Sequence, residues 1–356
     1  MYKKFCSSIL VITMIAALSG CSTAKEASPE NVETVTESAV SSEENTAELN
    51  TESTSETPDG GHAQGGPGGG NGHGGGGGGI EGETDSASVD LVTTESQKFV
   101  QETYDDPDTG ISLEYSLYVP ESYDESTSYP LLMYIPDATG AGKTAKEIVE
   151  QYYGADVWVT DEDQAKHASF VVVPAFSEVV VNDDNTTSDE IDAAVNLLNY
   201  LTTTYNIDTN RLYTTGQSMR CMTSIYLNSK YPDLFAASLF VSGQWDISVL
   251  EPLLNEKFFY ITAGGDEKAS GGQDEVMNMF DENSVNYTYE TWSAQDSEDT
   301  QNAAVEKMLS AGANANMIRF ETGTVLDGSS DMEHMASFKY GYKISAVRDW
   351  LFEQSK

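Results

Sequence analysis

Basic side chains are scarce in this chain of 356 residues, which has 18 lysines and arginines against 58 aspartates and glutamates, a formal net charge of −40. A field of that sign repels nucleic acid and anionic membrane surfaces, so electrostatic binding to either class of partner is excluded. Cysteine is rarer still: the only three are Cys6, Cys21 and Cys221. The chain is therefore not a disulfide-stapled scaffold.

The first 20 residues have the pattern of an export signal. Two lysines precede an apolar stretch at residues 5–18, which is too short to span a bilayer comfortably. The stretch ends in LSGC at residues 18–21, which resembles the lipobox of bacterial lipoproteins, where a diacylglyceryl group is attached to the cysteine and the chain is cut just before it. Residues 1–20 are thus predicted to be a lipoprotein signal peptide, with Cys21 as the lipidation site.

Residues 21–90 are predicted to be a disordered tether. Their first part is rich in Ser, Thr and Glu with few large apolar side chains, and residues 60–79 hold 14 of the 30 glycines. Such composition buries too little surface to offset the entropy of ordering. His62 and His73 lie 11 positions apart in this stretch without a cysteine partner, so no metal site is predicted.

From residue 91 to residue 356 the pattern alternates between strands and helices, which predicts an α/β domain with a mostly parallel, twisted sheet flanked by helices. The first two strands are separated by a turn-rich segment at 105–110, so they are expected to form an antiparallel hairpin. The predicted strands are 98–104, 112–119, 131–135, 170–174, 211–215, 236–241, 258–263 and 317–321, and the predicted helices are 143–153, 188–204, 219–229, 273–283, 300–311 and 336–353.

The sequence RLYTTGQSMRC at residues 211–221 carries the main chemical signal. An apolar strand ends at Gly216, Ser218 follows, and a helix begins at once, which is the pattern of a nucleophile elbow. A sharp turn of this kind lifts the serine hydroxyl above the sheet edge, and the helix N-terminus behind it favours developing negative charge. A serine hydroxyl is inert at its own pKa, so it needs a base.

Only two histidines lie in the globular part. His167 precedes a strand and is expected to be a surface or packing residue, whereas His334 lies between the last strand and the last helix and is the candidate base. The acid is expected at a strand end between Ser218 and His334. Asp266, after the strand 258–263, is preferred over Asp246 for accepting the imidazole N–H.

Residues 91–356 resemble the α/β-hydrolase superfamily, and within it the group of polyhydroxybutyrate-depolymerase-like and feruloyl-type esterases and prolyl-oligopeptidase-like peptidases. The resemblance rests on GQSM at 216–219, YPDLF at 231–235, GGD at 264–266 and the position of His334 before the last helix. The order Ser–Asp–His also matches that superfamily. The resemblance implies an α/β-hydrolase fold and hydrolysis of esters or peptides through an acyl-enzyme.

Arg220 departs from the pattern that the resemblance implies, because the residue two positions after the serine is usually glycine. That glycine lets the helix pack close to the sheet. An arginine there is expected either to crowd the neighbouring strand or to bend into solvent near the site. Three consequences stay open: a tolerated variant, reduced or lost activity, or a charge offered to an anionic substrate.

A second departure concerns the oxyanion hole. The loop after the strand 131–135 usually reads His-Gly-x-Gly, whereas this chain has PDATG at 136–140, and the proline has no N–H to donate. The expected donors are the backbone N–H groups of Met219 and Ala138, with Thr139 as the less favoured alternative to Ala138.

Two further residues are predicted to contact substrate. Gln217 stands beside the serine, and Trp245 follows the strand 236–241, where it is placed either to wall an acyl pocket or to pack in the core. Nothing in the proposed chemistry requires a cofactor.

The sequence therefore predicts an extracytoplasmic serine hydrolase that acts on small or polymeric esters and is held at the bacterial cell membrane only through its lipid. A serine peptidase is the first alternative, although peptidases of the prolyl-oligopeptidase type often add a domain for which residues 91–356 leave no length. The second alternative, suggested by Arg220, is a catalytically impaired surface protein that binds a ligand or partner.

Overall fold

The computed structural model describes residues 86–328 and 330–356. The predicted signal peptide, Cys21 and the tether as far as residue 85 lie outside these described residues. Within them, nine strands form one sheet: β1 Val100–Asp105, β2 Ser112–Tyr118, β3 Tyr129–Ile135, β4 Phe170–Ala175, β5 Ile207–Gln217, β6 Ala237–Val241, β7 Phe258–Ala263, β8 Tyr287–Trp292 and β9 Ala315–Phe320.

The strands follow the order β1-β2-β4-β3-β5-β6-β7-β9-β8. The pairs β1–β2 and β2–β4 are antiparallel, and the other neighbours are parallel. The prediction of a mostly parallel α/β-hydrolase sheet with an N-terminal antiparallel hairpin is confirmed. Because β5 lies at the middle of this order, its carboxyl end is enclosed by neighbouring strands on both sides.

In the part of the chain that the structure describes, ten α-helices connect or cover the strands. They are α1 Ser86–Glu95, α2 Ala145–Val149, α3 Tyr153–Asp156, α4 Asp161–Lys166, α5 Glu190–Thr204, α6 Met219–Lys230, α7 Glu267–Glu282, α8 Glu298–Leu309, α9 Glu333–Lys343 and α10 Ser345–Glu353. Of the helices in the described ranges, none is long and apolar enough to cross a membrane.

A separate apolar core lies on each face of the sheet. Strand β3 is buried along its whole length and contributes to both cores, since Leu131 and Met133 face one cluster while Leu132 and Tyr134 face the other. Successive side chains of a strand point to opposite faces, so a central parallel strand covered on both sides is apolar throughout. This is why the run at 131–135 predicted a buried strand.

Several predicted elements differ from the structure. Strand β8 was not predicted, because it is an edge strand whose side chains are mostly half-buried or exposed and carry polar groups. Helix α7 begins at Glu267, six residues before the predicted start at 273, and includes Gly271 and Gly272. Glycine is a poor helix former, but a side chain at Gly272 would collide with Gln244, so packing against that neighbour overrides propensity.

The segments at both ends of the domain also differ. Helix α1 begins at Ser86, so residues 86–90, predicted as tether, are helical. The predicted helix 336–353 is divided at Ile344 into α9 and α10. The Arg348 guanidinium donates to the Tyr342 carbonyl at 2.6 Å near that break and also pairs with the Asp163 carboxylate. Of the predicted helix 143–153, only the five residues of α2 and the first residue of α3 are α-helical.

Asp156, the last residue of α3, carries a buried carboxyl group that lacks hydrogen-bond partners among the described residues. It is fully buried, and neither oxygen has a hydrogen-bond partner among the described residues. Burial, together with the nearby Glu95 carboxylate, raises the pKa of Asp156 well above its ordinary value. In the unfolded chain this proton is released near the usual aspartate pKa of about 4. Above that pH the folded state holds more protons than the unfolded state, so stability falls as the pH rises towards the folded pKa.

Asp156→Asn keeps the shape of the side chain and removes this titration. We expect the variant to exceed the wild type in free energy of unfolding at pH 8, with the difference narrowing at lower pH by up to about 1.4 kcal/mol per unit. Urea unfolding between pH 5 and pH 8 measures this difference, and Asp90→Asn, an exposed site on α1, is the matched control. A difference that does not change with pH would show that the Asp156 carboxyl is not held neutral.

Candidate active site

Ser218 lies at the junction between β5 and α6, in a backbone conformation that is rare for a residue with a side chain. Its φ is 56° and its ψ is −133°. Its N–H donates to the Val241 carbonyl of β6 at 3.1 Å, which fixes the turn to the neighbouring strand. The turn presents the hydroxyl at the carboxyl end of the sheet, directly before the N-terminus of α6.

Two glycines allow this sharp junction. A Cβ atom built on Gly216 would lie 2.6 Å from the Arg220 carbonyl oxygen, and one built on Gly243 would lie 2.6 Å from the Ser218 carbonyl oxygen. Both distances are too short for a side chain, so helix α6 approaches β5 and the loop after β6 only because glycine stands at these positions. The close approach therefore depends on Gly216 and Gly243, and a glycine at position 220 is not needed for it.

Ser218, His334 and Asp266 form a continuous hydrogen-bonded series. The Ser218 Oγ lies 2.8 Å from His334 Nε2, and His334 Nδ1 lies 2.6 Å from Asp266 Oδ2. An imidazole with its hydrogen on Nδ1 donates to Asp266 and leaves Nε2 free to accept the serine proton. The Phe338 ring meets the imidazole edge-on at 5.1 Å between centroids. The geometry is that of an activated nucleophile with an oriented base.

The elements that carry the base and the acid are held together by Glu333. Its Oε2 accepts from the Gly265 N–H at 2.8 Å, and its Oε1 accepts from the Gly323 N–H at 2.6 Å. Gly265 precedes Asp266, and Glu333 precedes His334, so one carboxylate joins both sides of the histidine–aspartate pair. Sequence analysis missed this role; the only signal was an acidic residue in the first turn of the helix that carries His334.

The alternative candidates lie elsewhere. The Asp246 carboxylate caps a short 3₁₀ turn by accepting from the Ser248 N–H at 3.0 Å, and hydrogen bonds from the Ser248 side chain and N–H lower the pKa of Asp246. His167 Nε2 lies 2.9 Å from Asp349 Oδ1, and its ring stacks on Phe352. His167 therefore occupies the packing position expected of it.

The loop after β3 is organised by the Asp137 side chain. Asp137 Oδ1 accepts from the Thr139 N–H at 2.8 Å, from the Thr139 hydroxyl at 2.7 Å and from the Tyr152 hydroxyl at 2.8 Å. The Thr139 N–H already donates to Asp137 Oδ1, so it is not available as the alternative oxyanion donor. The Ala138 N–H makes no hydrogen bond within the described residues.

Met219 offers the second expected donor. It is the first residue of α6, and the N–H groups of a first helical turn have no acceptor within the helix. The helix dipole adds to the attraction of this end for negative charge.

The two predicted substrate contacts are buried. Gln217 is 4% exposed and is engaged on both sides, since its amide nitrogen donates to Asp137 Oδ2 at 3.3 Å and its carbonyl oxygen accepts from the Tyr134 hydroxyl at 3.1 Å. Trp245 is 6% exposed and packs against Tyr226 in the core. Neither position supports direct contact with substrate; Gln217 instead braces the Asp137 loop, and Trp245 occupies the core position that was the alternative.

Arg220 follows neither of the two paths expected for it. The side chain is completely buried, so it does not bend into solvent, and it turns beneath the loop after β3 instead of crowding a strand. Its Nε donates to the Asp137 carbonyl at 3.2 Å, and its Cζ lies 5.1 Å from the centroid of the Phe176 ring.

Burial raises the pKa of the neighbouring Cys221 thiol, which packs as an apolar side chain.

A protein-family model matches the chain. The model named Esterase, described as "Putative esterase", matches residues 108–336, which is more than half of the chain and includes Ser218, Asp266 and His334. No curated protein matches the chain.

Within residues 86–328 and 330–356, no group of three or more His, Cys, Asp or Glu side chains is arranged to hold a metal ion.

Several solved structures share the fold. A thermostable esterase is 23% identical with a TM-score of 0.59, over 74% of this chain and 64% of its own length. A protein named FAE is 12% identical with a TM-score of 0.51, over 76% of this chain and 93% of its own. A feruloyl esterase module from Clostridium thermocellum, solved with sinapinate, is 12% identical with a TM-score of 0.49, over 72% and 88%. The first two likenesses are evidence of the fold alone.

The strained backbone of Ser218 leads to a test on stability. A non-glycine residue in this region costs about 1–3 kcal/mol. Ser218→Gly and Ser218→Ala both remove the hydroxyl, but only glycine relieves the strain. We expect the glycine variant to be the more stable of the two by about 1 kcal/mol, after allowing for the greater freedom of glycine in the unfolded chain. Urea unfolding of both variants measures the difference. Equal stabilities, or a less stable glycine variant, would contradict strain at this residue.

Proposed function

Because the chain belongs to the Esterase family, we propose that it is a serine hydrolase that cleaves carboxylic esters through an acyl-enzyme. Ser218 is the nucleophile, His334 the general base and acid, and Asp266 the residue that orients the imidazole. The observation that carries this assignment is the hydrogen-bonded series from the serine hydroxyl through both imidazole nitrogens to the buried carboxylate, with contacts of 2.8 and 2.6 Å.

The reaction follows from that series. Ser218 Oγ forms a bond to the ester carbonyl carbon while His334 Nε2 takes its proton, and the carbonyl electron pair moves to the oxygen. Backbone N–H groups of Met219 and Ala138 stabilise this oxyanion. Collapse of the intermediate breaks the bond to the alcohol oxygen, which receives the proton from His334. Water then repeats the sequence on the acyl-enzyme, releasing the acid and restoring the Ser218 hydroxyl.

The position of Asp266 suits it to orient the His334 imidazole. It is 7% exposed and caps α7, where Oδ1 accepts from the Ala269 N–H at 3.2 Å. The other oxygen is thereby turned towards His334 and favours the imidazolium that forms as the serine loses its proton. The mechanism uses only these side chains, backbone donors and water, so it calls for no cofactor.

Cleavage of esters is favoured over cleavage of peptides by the family match. The catalytically impaired alternative was suggested by Arg220. The Arg220 side chain lies beneath the loop and leaves the contact between Ser218 and His334 intact, so the reason for that alternative no longer applies.

A fluorophosphonate probe tests the nucleophile directly. We expect the purified full-length chain to label and to hydrolyse p-nitrophenyl esters, and Ser218→Ala to do neither. Asp266→Asn should retain its fold but lose about a thousandfold or more in kcat, because the imidazole is then held in the wrong tautomer. A panel of peptide nitroanilides distinguishes the peptidase alternative. Labelling of Ser218→Ala at the wild-type rate would overturn the assignment.

We further propose that the enzyme is exported and anchored outside the cytoplasm through lipid on Cys21. The support is the LSGC sequence at 18–21 after a short basic and apolar segment. Two or more acyl chains are sufficient for stable anchoring.

Cys21→Ser tests the anchor. In a bacterial host supplied with labelled palmitate, we expect the wild-type chain to carry label and to sediment with membranes, and the variant to lack label. Cys221→Ser is the matched control, since that thiol is buried in the domain. Equal labelling of wild type and Cys21→Ser would exclude lipidation at this residue.

A further inference from the structure

Arg220 is a fully buried charged side chain with incomplete hydrogen bonding. It carries a guanidinium into the core beside the active-site loop, and its two terminal nitrogens have no hydrogen-bond partner among the described residues. Burial lowers the pKa of Arg220 to about 10, partly opposed by Asp137, Tyr152 and Glu190, so the group remains charged at neutral pH. Burying a charge with incomplete partners is unfavourable. Among the described residues, the guanidinium makes one hydrogen bond, from Nε.

That hydrogen bond joins the two elements that supply the oxyanion donors. Arg220 Nε donates to the carbonyl of Asp137 at 3.2 Å. Asp137 C=O and Ala138 N–H belong to the same peptide unit, which is planar and trans, so the two groups point in opposite directions. Holding the carbonyl towards the Arg220 guanidinium therefore turns the Ala138 N–H to the opposite side of the peptide, away from that side chain. Arg220 also directly follows Met219, the residue that offers the other N–H.

We propose that Arg220 is a positioning residue that orients the Asp137–Ala138 peptide so that the Ala138 N–H serves as an oxyanion donor. The proposal rests on the proposed esterase reaction. Arg220 does not contact the substrate. It acts through the Asp137–Ala138 peptide, and its guanidinium lies on the carbonyl side of that peptide. Donation to the carbonyl also polarises the peptide and strengthens the N–H as a donor.

The other contacts of the loop do not duplicate this function. The Thr139 and Tyr152 bonds, and that from Gln217, end on the Asp137 carboxylate and not on the Asp137–Ala138 peptide. The Gly140 N–H also donates to the Asp137 carbonyl at 3.1 Å, but this bond is internal to the loop and moves with it. Among the contacts of the described residues, the Arg220 bond is the one that ties the carbonyl to α6. The Phe176 ring, packed over the guanidinium, keeps the side chain in place.

Two uncharged variants distinguish the hydrogen bond of the Arg220 side chain from its packing in the core. In Arg220→Gln the amide nitrogen occupies the chain position of Arg Nε and can donate to the same carbonyl, whereas Arg220→Met has a similar length and no donor. Arg220→Lys keeps the charge but has a carbon at that position. Loss of one oxyanion donor in other hydrolases costs about a hundredfold or more in kcat. A donor that is misdirected rather than lost should cost less.

We expect Arg220→Met to fall about tenfold or more below Arg220→Gln in kcat for p-nitrophenyl esters, with similar KM values. Arg220→Lys should resemble Arg220→Met if the hydrogen bond matters and the charge does not. Affinity for an aryl boronic acid, whose tetrahedral adduct with Ser218 mimics the oxyanion, should fall in parallel with kcat. Thermal unfolding of each variant checks that it is folded.

The outcomes separate this inference from the proposed function. Equal kcat and boronate affinity in folded Arg220→Gln and Arg220→Met would overturn the positioning role while leaving the esterase intact. An effect confined to KM, or one that follows thermal stability instead of the donor, would also contradict it. Absence of probe labelling and hydrolysis in the wild type would instead be a failure of the proposed function.

Discussion

The close approach of helix α6 to the sheet is the constraint on which the site depends. At Gly216 and Gly243, backbone atoms of the elbow occupy the space that a side chain would need. The helix can therefore begin immediately after the strand, which leaves Ser218 in a backbone conformation that costs free energy. Strand pairing on one side and helix α6 on the other hold that conformation, and the serine hydroxyl reaches His334 as a consequence.

Hydrogen bonds to two carboxylates position the loops around the serine. The Asp137 carboxylate gathers contacts from Thr139, Tyr152 and Gln217, and the Glu333 carboxylate gathers backbone N–H groups from two loops. Carboxylates with several partners form directional contacts that favour one conformation of each loop, and the burial of Asp137 strengthens its contacts. Donors aimed in advance at a developing charge need no rearrangement during reaction, which is the main way such sites stabilise an oxyanion.

Much of this could be predicted from sequence where the determinants are local. The elbow is encoded within residues 211–221, and the central strands are continuous apolar runs. With only two histidines after residue 90, the choice of His334 required little more than its place before the last helix. Strand β8 and the start of α7 were missed because their signals are weak: an edge strand is only partly buried, and glycines inside a helix are tolerated when a neighbour such as Gln244 packs against them. Gln217 and Trp245 were assigned to substrate because adjacency in sequence does not tell which way a side chain turns.

The sequence by itself determined the class of fold and which serine, histidine and aspartate come together, because periodicity, turn chemistry and the order of strand ends carry that information. Only the tertiary structure decided which N–H groups remain available to an oxyanion and where the Arg220 side chain goes. The physical reason is distance along the chain. The bond between Arg220 and the Asp137 carbonyl joins residues 83 positions apart, and the contact of Glu333 with Gly265 spans 68. Contacts of that range depend on how packed elements meet, and no local pattern records them.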